Sequence, residues 1–414
     1  MKLPRHSLRI RDADEWPIVA ESPGALDGLV VNANVLEHRA TVFARRVADS
    51  SLPFLIDPML WRFQVPTWWM RDDGVTTKKN FVDLARRYSA GTGIHMGAQP
   101  LLDWVNTDDD WHKLAANVVK YQRNRLADAA GSLFVNTDFY TRQPVPAEIV
   151  APYLLARNRN EDRINRLLIE GAAEAAGQPV IAHLALPLKR AQDPLERAAA
   201  LQAVLCEEAG GVLIWMSGMT EERLMERTED FDGFLAVLDS LNSHGKVIGH
   251  AHSGFAAAVL RDRGLHSLIH RVHWTDDGMP AEPGGGPAAC TTYVTALHRA
   301  VYFDRAWPLI PKDPQEYLRQ ICSCFFCREA VAAGEHPMDL LMQAVEIRGP
   351  RGGTRLTPSD GAIMANRFHF LWSRRLEVQS IEELGPREYL HRELERLTSL
   401  GVPRGRLNRL AEVI

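Results

Sequence analysis

Seven short, nearly unbroken apolar runs alternate with longer stretches of helical spacing along this chain, at 28–34, 53–57, 132–138, 179–184, 211–216, 246–250 and 265–272. Between them, 158–176 carries Ile164, Leu167, Leu168 and Ala172 on one helical face, 194–209 is rich in Ala and Leu, and 230–244 shows Phe231, Phe234, Leu235 and Leu238. A strand that is apolar on both faces must be covered on both. Alternation with helices therefore predicts a parallel sheet in a helical shell. An eighth run near 92–96, with Gly93-Ile94-His95-Met96 as its body, would complete a (β/α)8 TIM-type barrel, which is the expected fold. An open doubly wound sheet is the alternative. No Gly-x-Gly-x-x-Gly follows the first run, which argues against dinucleotide binding. The expected layout is a barrel with the active site over 1–310, a zinc-binding subdomain over 311–380 and a helical tail over 381–414.

Chemistry in such a barrel belongs at the C-terminal ends of its strands. Several runs end in polar residues, namely Asp57, Asp138, His183, Ser217-Gly218, His250-Ala251-His252 and Asp276-Asp277. The formal net charge is −4, so a protein that coats nucleic acid non-specifically is excluded, and any such contact must use a local basic patch. No stretch of about 18 apolar residues could span a membrane, and Met1–His6 leads into charged residues with no apolar signal core. A cytoplasmic protein without membrane contact is expected.

Of the five cysteines, Cys322, Cys324 and Cys327 form a C-x-C-x-x-C run. This is too tight for a disulfide framework and suits thiolate ligation of one metal ion. Zn²⁺ takes four ligands in a tetrahedron. His336 and His369, nine and 42 residues beyond Cys327, could each supply the fourth. His369 is preferred because it sits on a predicted helix from 358 to about 377, which presents a ligand rigidly. Four protein ligands close the coordination sphere, so the expected zinc is structural.

A barrel followed by C-x-C-x-x-C and a distal histidine resembles the tRNA-guanine transglycosylase superfamily. Within it, the chain is most similar to the DNA-modifying (DpdA-type) branch, which places a 7-deazaguanine base in DNA. The likeness covers roughly 28–377. The family carries Asp-Ser-Gly-Gly-Phe-Gln at the end of an early strand, where this chain has Asp57-Pro58-Met59-Leu60-Trp61-Arg62-Phe63-Gln64, two residues longer. The resemblance implies that Asp57 is catalytic and that Phe63, or its rival Trp61, stacks on the exchanged base beside Gln64. It implies that Asp138 reads the base, that His183 falls near a family glutamine, that Gly218 lies at a glycine-rich strand end, and that Ile248 packs on the base. The family keeps its nucleophilic aspartate within the last barrel strand. None lies in 265–272, and Asp276 and Asp277 are the nearest carboxylates. The family's distal histidine precedes an asparagine, whereas here Ala365-Asn366 stands at that place and His369 comes one helical turn later.

Base exchange needs a carboxylate to attack C1′, a second group to move protons, and a slot that grips the base. Asp57, Asp138, Asp276 and Asp277 could divide these roles. The implied partners are nucleic acid, DNA in preference to tRNA, and a free 7-deazaguanine, with a homodimer or accessory modification proteins as further partners. Phosphate contacts would come from Arg348, Arg351 and Arg355 in a Gly-rich loop, from Arg367, Arg374 and Arg375, and from Lys78-Lys79. Two other classes stay open. One is a metal-dependent hydrolase using His250 and His252 with His270, His273 and Asp276. The other is a zinc-stabilised binding module without catalysis.

Overall fold

The computed structural model describes residues 3–10, 15–65, 79–92, 107–133, 144–220, 227–252, 254–271, 290–348, 354–402 and 404–413. Strand β1 (His6–Ile10) leads through helix α1 (Trp16–Glu21) to β2 (Gly28–Asn32), α2 (Ala33–Ser50), β3 (Phe54–Asp57), α3 (Lys79–Tyr88), α4 (Asp108–Leu133) and α5 (Arg159–Ala176). Then come β4 (Val180–Pro187), α6 (Leu188–Gln192), α7 (Pro194–Val204), β5 (Ala209–Ser217), α8 (Thr228–Ser243), β6 (Val247–His250), α9 (Phe255–Val259) and β7 (Leu265–His270). These seven strands form one parallel sheet in the order β3-β2-β1-β7-β6-β5-β4.

The sheet is curled. Leu3, Val30, Leu55, Val150, Ile181, Leu213 and Ile269 form one apolar cluster on its concave side, and they include residues of both edge strands. At that layer a Cβ on Gly249 would lie 2.6 Å from Leu213 Cδ2 and 3.2 Å from Ser267 Cβ, so β6 needs a residue without a side chain to sit against its neighbours. The alternate residues, such as Leu29, Val31, Ile56, Ile214 and Ile248, face the helices in the main core. An extended segment lies between the two edges. Ala147 N–H donates to Phe54 O of β3 at 2.9 Å, while Ile181 N–H donates to Ile149 O and Ala151 N–H to Ile181 O of β4, both at 2.8 Å.

Helix boundaries follow local chemistry. Asn158 caps α5 by accepting from the Asn160 and Glu161 N–H groups, and Gly177 ends it in the left-handed region. Asp193 caps α7 in the same way. The run at 132–138 departs from expectation: its first two residues finish α4, and the rest, with Asp138, lie outside the described residues. Of the expected strand at 92–96, Thr92 lies in the turn after α3 and the remainder is likewise outside them.

After β7 comes a module of β8 (Thr291–Val294), β9 (Arg299–Tyr302), α10 (Phe303–Ala306), α11 (Pro314–Gln320), α12 (Phe325–Ala332), α13 (Pro337–Leu341), β10 (Ala344–Arg348) and β11 (Thr354–Pro358). Then α14 (Asp360–Leu384), α15 (Pro386–Ser399) and α16 (Gly405–Val413) close the chain. The expected boundary at 380 falls inside α14, which packs against α9 and α1 and sends Leu371, Val378 and Ile381 into the main core. Leu390, Leu397, Leu407 and Leu410, from α15 and α16, join the same core. Among the described residues no helix is long and apolar enough to cross a membrane.

The module is keyed to α14 and α15 by a buried ionic network. His298, in a left-handed turn between β8 and β9, is bound at Nδ1 by Glu377 at 2.8 Å and at Nε2 by Glu393 at 3.1 Å, and its ring stacks on Phe255 at 3.6 Å. Arg374 and Tyr293 complete Glu377, at 2.8 and 2.9 Å. Burial alone would lower the pKa of His298, but the two carboxylates outweigh it and raise the pKa above the ordinary value.

Candidate active site and metal centre

A narrow pocket of about 250 Å³, counting the open space at its mouth, lies at the C-terminal ends of β1, β2 and β3. Arg9, Asn32, Asp57, Met59, Trp61, Arg62, Tyr153 and His252 line it. Strand alternation turns Arg9, Asn32 and Asp57 toward the concave side while Leu8, Val31 and Ile56 face the helices. Asp57 is 1% exposed. It pairs with Arg9, accepts from Tyr153 Oη at 3.1 Å and takes the Met59 N–H at 3.0 Å. Burial pushes the Asp57 carboxyl upward, yet Arg9, followed by His183, holds it below the usual carboxylate range. Asp57 is therefore a permanently ionised group near neutral pH. The turn after it places Met59 at φ 58°, a left-handed conformation unusual for a side chain of that size. The resembled motif has glycine in that turn.

Aromatic rings wall the pocket. Trp61 packs on Trp215 at 4.7 Å, the Arg62 guanidinium lies over the Trp61 ring at 4.7 Å from its centroid, and His252 approaches Trp215 at 5.7 Å. Tyr153 stacks on His183 at 3.9 Å. His183 is 2% exposed, and neither ring nitrogen has a hydrogen-bond partner among the described residues.

The structure sorts the expected substrate residues. Trp61 lines the pocket; Phe63 does not, being buried in the main core edge-on to Phe81 at 5.7 Å. Gln64 is spent internally, donating to Leu155 O and Glu161 and accepting the Leu155 N–H at 2.7 Å, so it pins the segment beside β4 and has no free edge for a base. Ile248 faces the helices, not the pocket, because the inward parity of β6 belongs to Gly249. Gly218 forms a left-handed turn just after β5 and is not among the pocket residues. Asp276 and Asp277 lie outside the described residues, as do His273, Lys78 and Arg351. Arg374 is buried against Glu377 and the Tyr293 and Phe370 rings, and Arg375 pairs with Asp27 at 3.0 Å, so both serve the fold.

His250 and His252 do not share a face. β6 ends at His250, whose ring lies 5.1 Å from Phe234 of α8, while His252 turns into the pocket. His270 packs against His6 and Phe370 on the helical side. Among the described residues these histidines form no metal-binding group.

Arg9 and Tyr153 are absent from the sequence-based candidates. Leu8 and Ile10 alternating with Ser7 and Arg9 was the available signal for β1. Pro152 interrupts the run that carries Tyr153 and masks its extended character.

The second site is the cysteine cluster. Cys324 starts α12 and Cys327 sits in its first turn, which folds both toward Cys322. His369 projects from the middle of α14. The four ligand atoms lie within 4.8 Å of one another, and all four residues are buried. His369 Nε2 donates to Tyr293 O at 2.9 Å, which leaves Nδ1 facing Cys327 Sγ at 3.3 Å and Cys324 Sγ at 3.5 Å, the tautomer a metal requires. Burial raises the Cys324 and Cys327 thiols, while neighbouring thiols and His369 outweigh it at Cys322 and lower that pKa well below its ordinary value. Three buried thiols cannot all ionise without a cation among them, so the donor set suits a metal ion such as zinc. The alternative ligand, His336, instead caps α13 through Met338 N–H at 3.2 Å and faces Pro311 O at 3.0 Å.

Fold and sites together define an α/β protein with a curled seven-stranded parallel sheet and a Cys3His group in a module inserted before α14. The chain matches no known protein-family profile and no curated protein.

Two sets of histidines set a pH optimum. His183 and His250 are held by burial at about 3, so the unfolded chain binds protons they refuse, and stability falls as pH drops below about 6.5. His298 acts with the opposite sign. Its contribution is full below about 6.5 and is lost as pH rises through its raised folded value. Melting temperature should therefore peak near pH 6.5, and H298N should flatten the alkaline side. An unchanged alkaline slope in that variant would reject the assignment.

Proposed function

We propose that this chain is a base-exchange transglycosylase that replaces guanine in nucleic acid, DNA in preference to tRNA, by a 7-deazaguanine base. The observation that carries the proposal is Asp57, an ionised carboxylate at the C-terminal end of β3 in a pocket walled by Trp61. In this reading the segment around 149–156 is the remaining stave of a (β/α)8 barrel, and α14 is the ring helix that follows β7. The Cys3His module inserted between β7 and α14 is in keeping with the resembled family, and it holds a structural zinc.

The chemistry follows from a carboxylate and a stacking slot. Asp276 or Asp277, just beyond β7, attacks C1′; the C1′–N9 bond breaks, and guanine leaves with a proton. The entering base loses its N9 proton as that nitrogen displaces the carboxylate. Trp61 grips the flat base, Asp57 accepts hydrogen bonds from its polar edge, and His252 carries the proton transfers. The test incubates the protein with guanine-labelled duplex DNA, or tRNA, and 7-cyano-7-deazaguanine, then hydrolyses and analyses the nucleosides by mass spectrometry. Exchange into DNA that is lost in D57N supports the proposal. Retention of all label in both nucleic acids overturns it.

A further inference from the structure

A chain of net charge −4 needs a local basic patch to hold nucleic acid. Arg374 and Arg375, expected to contribute to one, are spent on the fold. A cleft between α3 and α4 supplies another. It has a volume of about 580 Å³, counting the open space at its mouth, and its polar walls are Arg87, Asn117, Lys120, Asn124, Arg125 and Asp128. Helical spacing builds this face: Asn117, Tyr121 and Arg125 form one row along α4, and Lys120, Asn124 and Asp128 the next. The floor is an ion pair. Glu37 of α2, its side chain 6% exposed, is held by Arg87 Nε at 2.8 Å and by Arg125 Nε at 2.7 Å. One carboxylate cannot neutralise two guanidiniums, and the Arg87 side chain above it is 47% exposed. Lys120 is exposed and makes no hydrogen bond or ion pair among the described residues. Arg87, Lys120 and Arg125 thus outnumber Glu37 and Asp128 by one positive charge.

The cleft lies at the same end of the sheet as the Asp57 pocket. Tyr121 on its wall donates to Ala33 O, next to the pocket residue Asn32, at 3.1 Å. Tyr88, whose ring meets Tyr121 edge-on at 5.4 Å, donates to Pro58 O, next to Asp57, at 2.9 Å. Asn117 in turn donates to Tyr88 O at 2.8 Å and to Ala90 O at 2.9 Å. Two buried tyrosines therefore separate the cleft from the strand ends that carry Asn32 and Asp57. Helix α3 as a whole carries Lys79, Arg86 and Arg87 against Asp83 alone. We propose that this cleft binds a backbone phosphate of the nucleic acid whose base occupies the Asp57 pocket. The proposal rests on the nucleic-acid reading above and adds which surface holds the strand beside the exchanged nucleotide. The Arg87 N–H groups that Glu37 leaves open, the Lys120 ammonium and the Asn124 amide are donors that phosphate oxygens accept from. One excess positive charge matches the single negative charge of one phosphodiester.

The test is fluorescence anisotropy of a labelled 24-base-pair DNA duplex, titrated over several salt concentrations with the full chain and its K120Q and K312Q variants. One lost phosphate contact in K120Q should lower the slope of log affinity against log salt by about 0.9 and weaken binding to a similar degree on every sequence. Its melting temperature should not change, because Lys120 holds no other described residue. K312Q removes the same charge from an exposed site before α11 and should leave the slope as it is. An unchanged slope in K120Q overturns the proposal. So does an equal fall in K312Q, which would make net charge the cause. Calorimetric titration with inorganic pyrophosphate separates the sources of phosphate. Pyrophosphate binding that K120Q abolishes, beside an unchanged DNA slope, would assign the cleft to a small phosphorylated ligand and overturn the nucleic-acid assignment. Base exchange scored in parallel separates the two ideas. A slope that falls without any exchange sinks the transglycosylase reading alone, and exchange with an unchanged slope sinks the cleft alone.

Discussion

Replacing Cys327 with Ser should abolish metal binding at the Cys3His group and lower the melting temperature of the metal-loaded molecule in a single transition. The local expectation is different: a zinc subdomain would loosen first and leave the sheet intact. The structure removes that separation, because α14 supplies both His369 to the cluster and Leu371, Val378 and Ile381 to the main core. Structural zinc contributes on the order of 10 kcal/mol to folding of small zinc domains. One lost thiolate removes much of that, so a fall of roughly 10 °C or more is expected in a chain of this size. H336A is the matched control and should keep the metal, because His336 caps α13 and does not reach the cluster. Elemental analysis with differential scanning calorimetry reads both quantities. A metal-free C327S protein that melts like the wild type would show that the cluster does not stabilise the fold.

The second large effect should come from the Arg9–Asp57 pair, both members of which are almost fully buried. Among the described residues, R9M leaves the buried carboxylate hydrogen-bonded by Tyr153 and the Met59 N–H, without its charged partner. Removing one partner of a buried pair costs about 3–5 kcal/mol. The sign of the pH dependence distinguishes this from simple loss of packing. In the wild type the folded pKa of Asp57 is depressed, so its stability is present above about 3.9 and lost as pH falls. In R9M burial, the largest influence, is no longer offset, and the carboxyl pKa rises. Destabilisation should then be greatest near neutral pH and shrink on acidification. D57N leaves the arginine charge buried, and its cost should not shrink over the same range. The R9M/D57L double variant should recover much of the loss, because both charges have gone. Chemical denaturation at pH 5 and pH 8 measures all three. Equal losses for R9M at both pH values would mean that Asp57 does not titrate as described.

These two sites differ in how far they can be read from residues alone. Cys322, Cys324 and Cys327 lie within six residues, so chain geometry brings them together whatever the rest of the fold does, and thiolate chemistry then calls for a metal. The helical pattern of 358–377 was enough to place His369 on α14, and α5, α7 and α8 were legible from their apolar spacing. Asp57 was legible as a strand-end carboxylate. Its partners were not. Arg9 comes from β1, two strands away in the sheet and 48 residues away in the chain, and Tyr153 from a segment that Pro152 disguises.

Side-chain direction was the other hidden quantity. A strand reads the same to either face until its neighbours are known, and a shift of one residue exchanges the faces. Ile248 therefore looked like a base contact and packs on helices, and His250 and His252 looked like a pair and part where β6 ends. Local spacing determined the cysteine cluster, the helices over 158–176, 194–209, 230–244 and 358–377, and six of the seven strands of the sheet. Which residues face the pocket was decided only by the tertiary structure, because inward parity depends on the curl of a sheet whose contacts join residues far apart in the chain.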